Sequence, residues 1–337
     1  MTINWAALDA PYPTLAKNPL AGRDLLRLSD LTAEQLHALL SCALAQKRAW
    51  KSGDLTAPYA GKSVAIIMEK PSLRTRVSFE LGAKRLGAQT TVMGDATSAF
   101  SRGESIKDTV MVLERYVDAI VLRTYAQSRL EEVAQHASVP VVNALSDDFH
   151  PCQGLADLLT IYEHKGDLSK QRIAYIGDGN NMAHTYLEAA ALTGCDLTIA
   201  APPGYQPRPD YLRQAQERAA MSGAKLKVVE EVGSALAGAD VVITDTWASM
   251  GAEAEHDERA RTFAAYQVDA AGIAEAAPGA IFLHCLPAHR GEEVSDEVMD
   301  APYSKIYDEA ENRLHVQKAL LSLLLADPCL PETGERR

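Results

Sequence analysis

Cysteine is scarce and scattered in this sequence. Five residues, Cys42, Cys152, Cys195, Cys285 and Cys329, are spread over 337 positions, and none forms a C-x-x-C pair. That excludes a disulfide scaffold and points to a reducing compartment. Positive charge is also short: 33 Lys and Arg face 45 Asp and Glu, for a formal net charge of −12. Such a chain does not suit nucleic acid or an anionic membrane as a general partner. Long apolar runs are missing, and a stretch such as 320–326 is too short to span a bilayer. The opening MTINWAALDAPYPT has no basic region followed by an apolar one. No secretory signal is expected, and a cytoplasmic location follows. There is no internal repeat and no low-complexity tract.

What remains is an ordinary globular balance, 47% hydrophobic and 23% charged, in a length that suits two domains. Short β-rich runs alternate with helical patterns. The first set is 64–68, 90–93, 119–122 and 139–142, separated by helical segments at 74–86, 105–116 and 128–136. Phe79, Ala83 and Leu86 fall on one helical face. A second set follows at 173–176, 197–200, 226–229, 241–244 and 281–284. Continuous apolar strands alternating with helices predict an α/β fold of two doubly wound parallel-sheet domains. The segment 151–165, with Pro151 in its first turn, reads as the connecting helix. Residues 311–326 form a last helix, stopped by Asp327 and Pro328, and 327–337 a loose tail.

In open parallel sheets, ligands bind beyond the carboxyl ends of the strands, so the segments there carry the functional reading. After the first strand comes KPSLRTRVSFE, residues 70–80. Ser72 is an N-cap candidate. A helix N-terminus with Arg74 and Thr75 beside its open N–H groups is built for a phosphate. Arg76 either joins that site or pairs with Glu80 one turn on. Arg123 ends the 119–122 strand and points into an inter-domain crevice or forms a structural ion pair. In HPCQ, His150 and Gln153 reach the crevice, or His150 caps the helix.

The loop GDGNNMAHT resembles a dinucleotide loop, but Met182 stands where the third glycine belongs, and no acidic residue ends the next strand. Asn180 and Asn181 are left to present amides to a polar ligand. Asp245 follows the 241–244 strand and suits an amine. The polar stretch AEAEHDERAR after Gly251 reads as a mobile loop. His284, Cys285 and His289 are too few for a structural zinc. Cys285 is either a nucleophile, with His284 or His289 as base, or a buried inert thiol.

Taken together and in order, these segments resemble the ornithine carbamoyltransferases of the wider aspartate/ornithine carbamoyltransferase family. The resemblance runs from EKPSLRTRVSFE to DEAENRLH. The S-x-R-T-R and HPxQ segments are common to the wider family, and DTWASMG and HCLPAHRG resemble its ornithine branch. It implies a carbamoyl-phosphate domain at 1–150, joined by the returning C-terminal helix 311–326, and an ornithine domain at 151–310. It also implies a homotrimer or a multiple of trimers, no metal and no organic cofactor. Carbamoyl phosphate would be held by Ser72, Leu73, Arg74, Thr75, Arg123, His150, Gln153, Cys285, Leu286 and Arg313. L-Ornithine would be held by Asn181, Asp245, Ser249 and Met250, with Asp245 on its α-amino group.

The family often has threonine where Leu73 stands; the phosphate donor there is the backbone N–H, so the change is tolerable. Members commonly have a glutamine where Ala99 stands, reaching a neighbouring subunit's site. Some have lysine at Gly103, and Arg102 is the candidate replacement. The implied reaction carbamoylates the δ-amine of ornithine to give citrulline and phosphate, a step of arginine metabolism. Arg74, Arg123, His150 and Cys285 are its expected catalytic residues, Cys285 as a polar contact beside the amine and not a nucleophile, and SMGAEAEHDE is the expected closing loop. Competing readings are a transferase for aspartate, putrescine or an acylated ornithine, a nicotinamide dehydrogenase, and a non-catalytic binder of the same fold.

Overall fold

The computed structural model describes residues 3–9, 18, 20–54, 56–94, 103–248 and 255–326. Ala99, Arg102, Ser249, Met250, Cys329 and the tail lie outside them. The chain divides into two compact units. The first comprises residues 7–155 and 313–337, and the second comprises residues 1–6 and 156–312.

The first unit runs α1 (Ala33–Lys51), β1 (Ser63–Met68), α2 (Leu73–Arg85), β2 (Gln89–Gly94), α3 (Ile106–Leu113), β3 (Ala119–Arg123), α4 (Gln127–His136), β4 (Val141–Leu145) and the start of α5 (Pro151–Lys165). Its strands pair in the order β2-β1-β3-β4, all parallel. Strands β1 and β3 are fully buried along most of their length because helices cover both faces. Ile67, Ile120 and Leu122 pack with Val110, Leu130 and Val133 in one core cluster.

The second unit runs β5 (Arg172–Ile176), α6 (Asn181–Thr193), β6 (Asp196–Ala200), α7 (Pro209–Ser222), β7 (Leu226–Val229), α8 (Val232–Leu236), β8 (Val241–Thr244), α9 (His256–Phe263), α10 (Ala270–Glu275), β9 (Ile281–His284), α11 (Asp296–Met299) and the start of α12 (Ile306–Leu324). Its strand order is β7-β6-β5-β8-β9, again all parallel. The core gathers Ile176, Val242, Phe282, Trp247 and Phe263.

The division between the units falls inside α5 and inside α12. The part of α12 from Arg313 onward belongs to the first unit. Tyr59 donates to the Ser322 carbonyl at 2.6 Å, and Gly22 N–H donates to that of Leu324 at 3.2 Å. This is the C-terminal helix returning to the first domain.

Three elements differ from the sequence reading. Strand β4 sits two residues late and runs through a polar residue, Asn143. Asn143 fits because its side-chain amide donates to the Leu26 carbonyl at 2.8 Å, so burial leaves that donor paired. Helix α12 starts at Ile306, five residues before 311, with Asp308 and Glu309 in its first turn, where acidic groups complement the helix dipole. The polar stretch read as a mobile loop is helical from His256. Phe263, fully buried, anchors α9 against Trp247.

Candidate active site

Both sheets reverse direction of winding between two central strands, and such switch points are where ligands bind. In the first unit the switch lies between β1 and β3, whose ends register as Met68 opposite Arg123. Four of the predicted residues, Ser72, Leu73, Arg74 and Thr75, follow just beyond β1. Ser72 is the N-cap of α2: its hydroxyl accepts from Thr75 N–H at 3.3 Å and donates to the Thr75 hydroxyl at 3.1 Å. Leu73 is 76% exposed, so its side chain is not what the fold uses. Arg74 is half-buried on the first helical turn, and Thr75 is fully buried.

Arg313, from α12, spreads its guanidinium over two partners. Nη2 donates to the Thr75 hydroxyl at 3.0 Å and Nη1 to Gln153 Oε1 at 2.8 Å. Arg123, His150 and Gln153 are all buried. Burial, then the Arg313, Arg123 and Arg74 charges, push the His150 imidazole well below the ordinary histidine range. It is therefore neutral at pH 7, in the field of three guanidinium charges. Three guanidinium groups whose charges act on one neutral imidazole, together with the N-terminus of α2, make a site that attracts a multiply charged anion.

The approach to His150 is fixed by a buried network. Ser146 donates to Gln127 Oε1 at 2.6 Å, and Phe149 N–H donates to the Ser146 hydroxyl at 3.1 Å. The other cations of the opening motif do not join the cluster. Lys70 is paired with Asp147 and lies over the Tyr125 ring at 4.3 Å. Arg76 is exposed and 3.7 Å from Glu80, the pairing expected one turn apart.

In the second unit the switch lies between β5 and β8. Asp245, just after β8, is buried, and its carboxylate is held from three sides. Asn180 Nδ2 donates to Oδ2 at 3.0 Å, while Thr246 N–H at 2.8 Å and the Cys285 thiol at 3.0 Å donate to Oδ1. Asn180 is thus a positioning residue whose Oδ1 also caps α6 by accepting from Met182 N–H at 2.9 Å. Asn181 follows as the first residue of α6, partly exposed.

Cys285 is half-buried, and burial followed by the Asp245 carboxylate pushes its thiol well above the ordinary range. It remains an SH donor at neutral pH, not a thiolate. The two histidines considered as its base are turned to other work. His284 Nδ1 accepts from Leu286 N–H at 2.9 Å, so the proton lies on Nε2, which donates to Glu293 at 3.1 Å. His289 Nδ1 faces Glu293 at 3.8 Å. Leu286 itself sits at φ +58°, a strained backbone for a branched residue, held by the His284 bond.

The glycine loop is filled by its own chain. Gly179 N–H donates to the Tyr205 carbonyl at 2.7 Å, and a Cβ at this position would lie 2.2 Å from the Gln206 backbone. The close approach that a dinucleotide loop reserves for pyrophosphate is here taken by residues 205–207.

The sequence reading did not foresee Arg259. This α9 residue bonds Asp178 at 2.7 Å, Glu255 at 2.9 Å and the Trp247 carbonyl at 2.9 Å. Its only signal was a charge within a polar stretch.

Two doubly wound parallel sheets, one with a cationic helix N-terminus and the other with a buried carboxylate at its switch point, are the architecture of the carbamoyltransferase class. The family model described as "Aspartate/ornithine carbamoyltransferase, carbamoyl-P binding domain" matches residues 23–163, and that for the Asp/Orn binding domain matches 169–324. The ornithine carbamoyltransferase of Anoxybacillus flavithermus is 49% identical over 91% of this chain and 98% of its own length. That of Pyrococcus abyssi is 47% identical over 91% and 96%. The solved ornithine carbamoyltransferase of Pyrococcus furiosus superposes with a TM-score of 0.89 at 46% identity, covering 91% of this chain and 98% of that one. The chain belongs to the aspartate/ornithine carbamoyltransferase family.

Proposed function

We propose that the chain transfers the carbamoyl group of carbamoyl phosphate to the δ-amine of L-ornithine, giving L-citrulline and phosphate. The observation that carries the reading is the Arg313 guanidinium bonded to the Thr75 hydroxyl and to Gln153 beside the Ser72-capped N-terminus of α2. We assign carbamoyl phosphate to 1–150 with the helix 311–326, and ornithine to 151–310.

The chemistry follows from charge. An alkyl ammonium ordinarily loses its proton near pH ~10.4, so ornithine must react from its neutral minor form. Its nitrogen attacks the carbamoyl carbon, and negative charge builds on the carbonyl oxygen. Thr75, Arg123 and His150 are donors for that oxygen; one such donor is typically worth about 2.7–4 kcal/mol. Arg74 and the α2 N-terminus take the charge of the departing phosphate. The C–O bond to phosphate breaks, and the proton lost by the amine ends on phosphate. Asp245 binds the α-ammonium and Asn181 the amino-acid end, with Ser249 and Met250 completing that site. Cys285 and Leu286 lie beside the amine. No acyl-enzyme is required.

Assembly as a homotrimer is supported by α2. Leu73, Val77 and Leu81 are 76%, 42% and 41% exposed and recur every four residues, a stripe of apolar side chains suited to a second copy. The net charge of −12 supports an enzyme without nucleic acid or anionic-membrane partners, and the scattered cysteines without a C-x-x-C pair support a reducing, cytoplasmic compartment. Among the described residues, no helix is long and apolar enough to cross a membrane.

The test is a citrulline assay with carbamoyl phosphate and ornithine, run beside aspartate, putrescine and N-acetylornithine. Turnover confined to ornithine supports the reading; turnover confined to another acceptor, or none, removes it. Sedimentation analysis tests the trimer.

A further inference from the structure

His256 Nε2 lies 3.2 Å from Glu292 Oε2, and His289 Nδ1 lies 3.8 Å from Glu293 Oε2. One ligand-capable atom from each of His289, Glu292 and Glu293 falls within 4.8 Å of the others. His256 opens α9, and the other three sit on the turn 289–293 after β9. The two imidazoles meet edge to face with centroids 6.3 Å apart. Two ligands of one tetrahedral zinc, each bonded at about 2.0–2.1 Å, are separated by about 3.3 Å. The His256–Glu292 pair lies close to that length, the His289–Glu293 pair is longer, and His256 stands just outside the three-residue cluster.

A second observation is independent of the clustering. Glu293 is fully buried. Its Oε1 accepts from His284 Nε2 at 3.1 Å and from His289 N–H at 2.6 Å. Among the described residues its Oε2 has no hydrogen bond. A buried carboxylate oxygen left without a donor is costly, and this one faces His289.

We propose that His256, His289, Glu292 and Glu293 bind a divalent transition metal of the zinc class. Two imidazoles and two carboxylates make a mixed nitrogen and oxygen set whose charge balances the ion. Magnesium and calcium favour oxygen alone. The side chains of His256, His289 and Glu292 are 43%, 45% and 34% exposed, so they close by rotation and admit the ion from solvent. Glu293 is the fixed ligand. Asp257, 3.5 Å from His256 Nδ1, steadies the ring from its other nitrogen. The site uses none of the groups around Asp245. It fastens α9 to the turn 289–293, and through Glu293 it touches the His284 that holds Leu286.

Metal-free full-length protein titrated with Zn²⁺ in a calorimeter should bind one ion per chain. Co²⁺ in its place should show visible ligand-field bands without a thiolate charge-transfer band, since no cysteine takes part. His289→Ala and Glu292→Gln, both at exposed side chains, should each weaken Zn²⁺ binding at least tenfold while melting as the parent does. Zn²⁺ should slow amide exchange across 256–263. Absence of binding, binding unchanged in His289→Ala, or a thiolate band would each overturn the proposal.

Discussion

Arg313 Nη2 donates to the Thr75 hydroxyl at 3.0 Å, joining residues 238 apart in sequence. The other arm of the same guanidinium holds Gln153. One planar fork therefore ties the final helix to α2 and to α5. A lysine carries the charge but has a single compact head and cannot serve both partners. Arg313→Lys should weaken a carbamoyl-phosphate analogue about 10- to 100-fold, the worth of a charge-assisted bond of about 1.5–3 kcal/mol. Calorimetry reads this directly. Unchanged affinity would remove Arg313 from the site.

Arg74 is half-buried at the first turn of α2, and the fold does not rest on it. Arg74→Ala should abolish measurable binding of the same analogue, because the charge opposite the phosphate is lost where no solvent counter-ion replaces it well. The melting temperature should stay within a few degrees. Near-normal affinity would sink the assignment.

His150 makes stability depend on pH in a predictable direction. Its folded-state pKa lies well below the ordinary value, so at mildly acidic pH the unfolded chain binds a proton the folded one refuses. The contribution to stability is complete above about pH 6.5. It falls as pH drops below that value, by up to about 1.4 kcal/mol per pH unit, until the folded-state pKa is reached. His150→Gln should flatten the acid limb of a plot of denaturation midpoint against pH. An unchanged slope would show that another group sets it.

Much of this was readable before the structure, and the reasons are physical. Buried parallel strands are near-continuous apolar runs and the more exposed edge strands β2 and β7 are still β-rich, so eight of the nine described strands lie close to where the runs predict. The strand that slipped, β4, continues through Asn143, which only a tertiary partner on residue 26 makes tolerable. Helix α9 hid in a charged stretch because its anchor is one buried residue, Phe263, and its pins are long-range bonds of Arg259. At the site, Ser72 announced itself as a cap through local chemistry. The pairing of Thr75 with Arg313 and of Asp245 with Asn180 joins distant segments, and no local spacing encodes it.

Cys285 tests whether the reaction runs through a covalent enzyme. Its thiol is kept protonated by burial and by the Asp245 carboxylate, and His284 is committed to Leu286 and Glu293. Cys285→Ser keeps a donor to Asp245 and should retain substantial turnover. Complete inactivity together with a carbamoylated enzyme caught by mass spectrometry would revive nucleophilic catalysis.

Asp245 has two separable jobs, and one substitution reads both. As the carboxylate assigned to the α-ammonium of ornithine, its loss should raise the ornithine KM about 10- to 100-fold, the scale of one charged hydrogen bond. The affinity for a carbamoyl-phosphate analogue should not move. As the negative charge beside Cys285, it holds the thiol pKa up, second only to burial. Asp245→Asn removes that charge while preserving size. The thiol pKa then falls, the thiolate fraction at pH 8 rises, and alkylation of Cys285 by iodoacetamide should quicken. Peptide mapping separates Cys285 from the buried Cys152 and Cys195, whose thiols are pushed up to about 12 and about 11. An unchanged ornithine KM would misplace the amino-acid site. An unchanged alkylation rate would instead mean that burial alone protects the thiol.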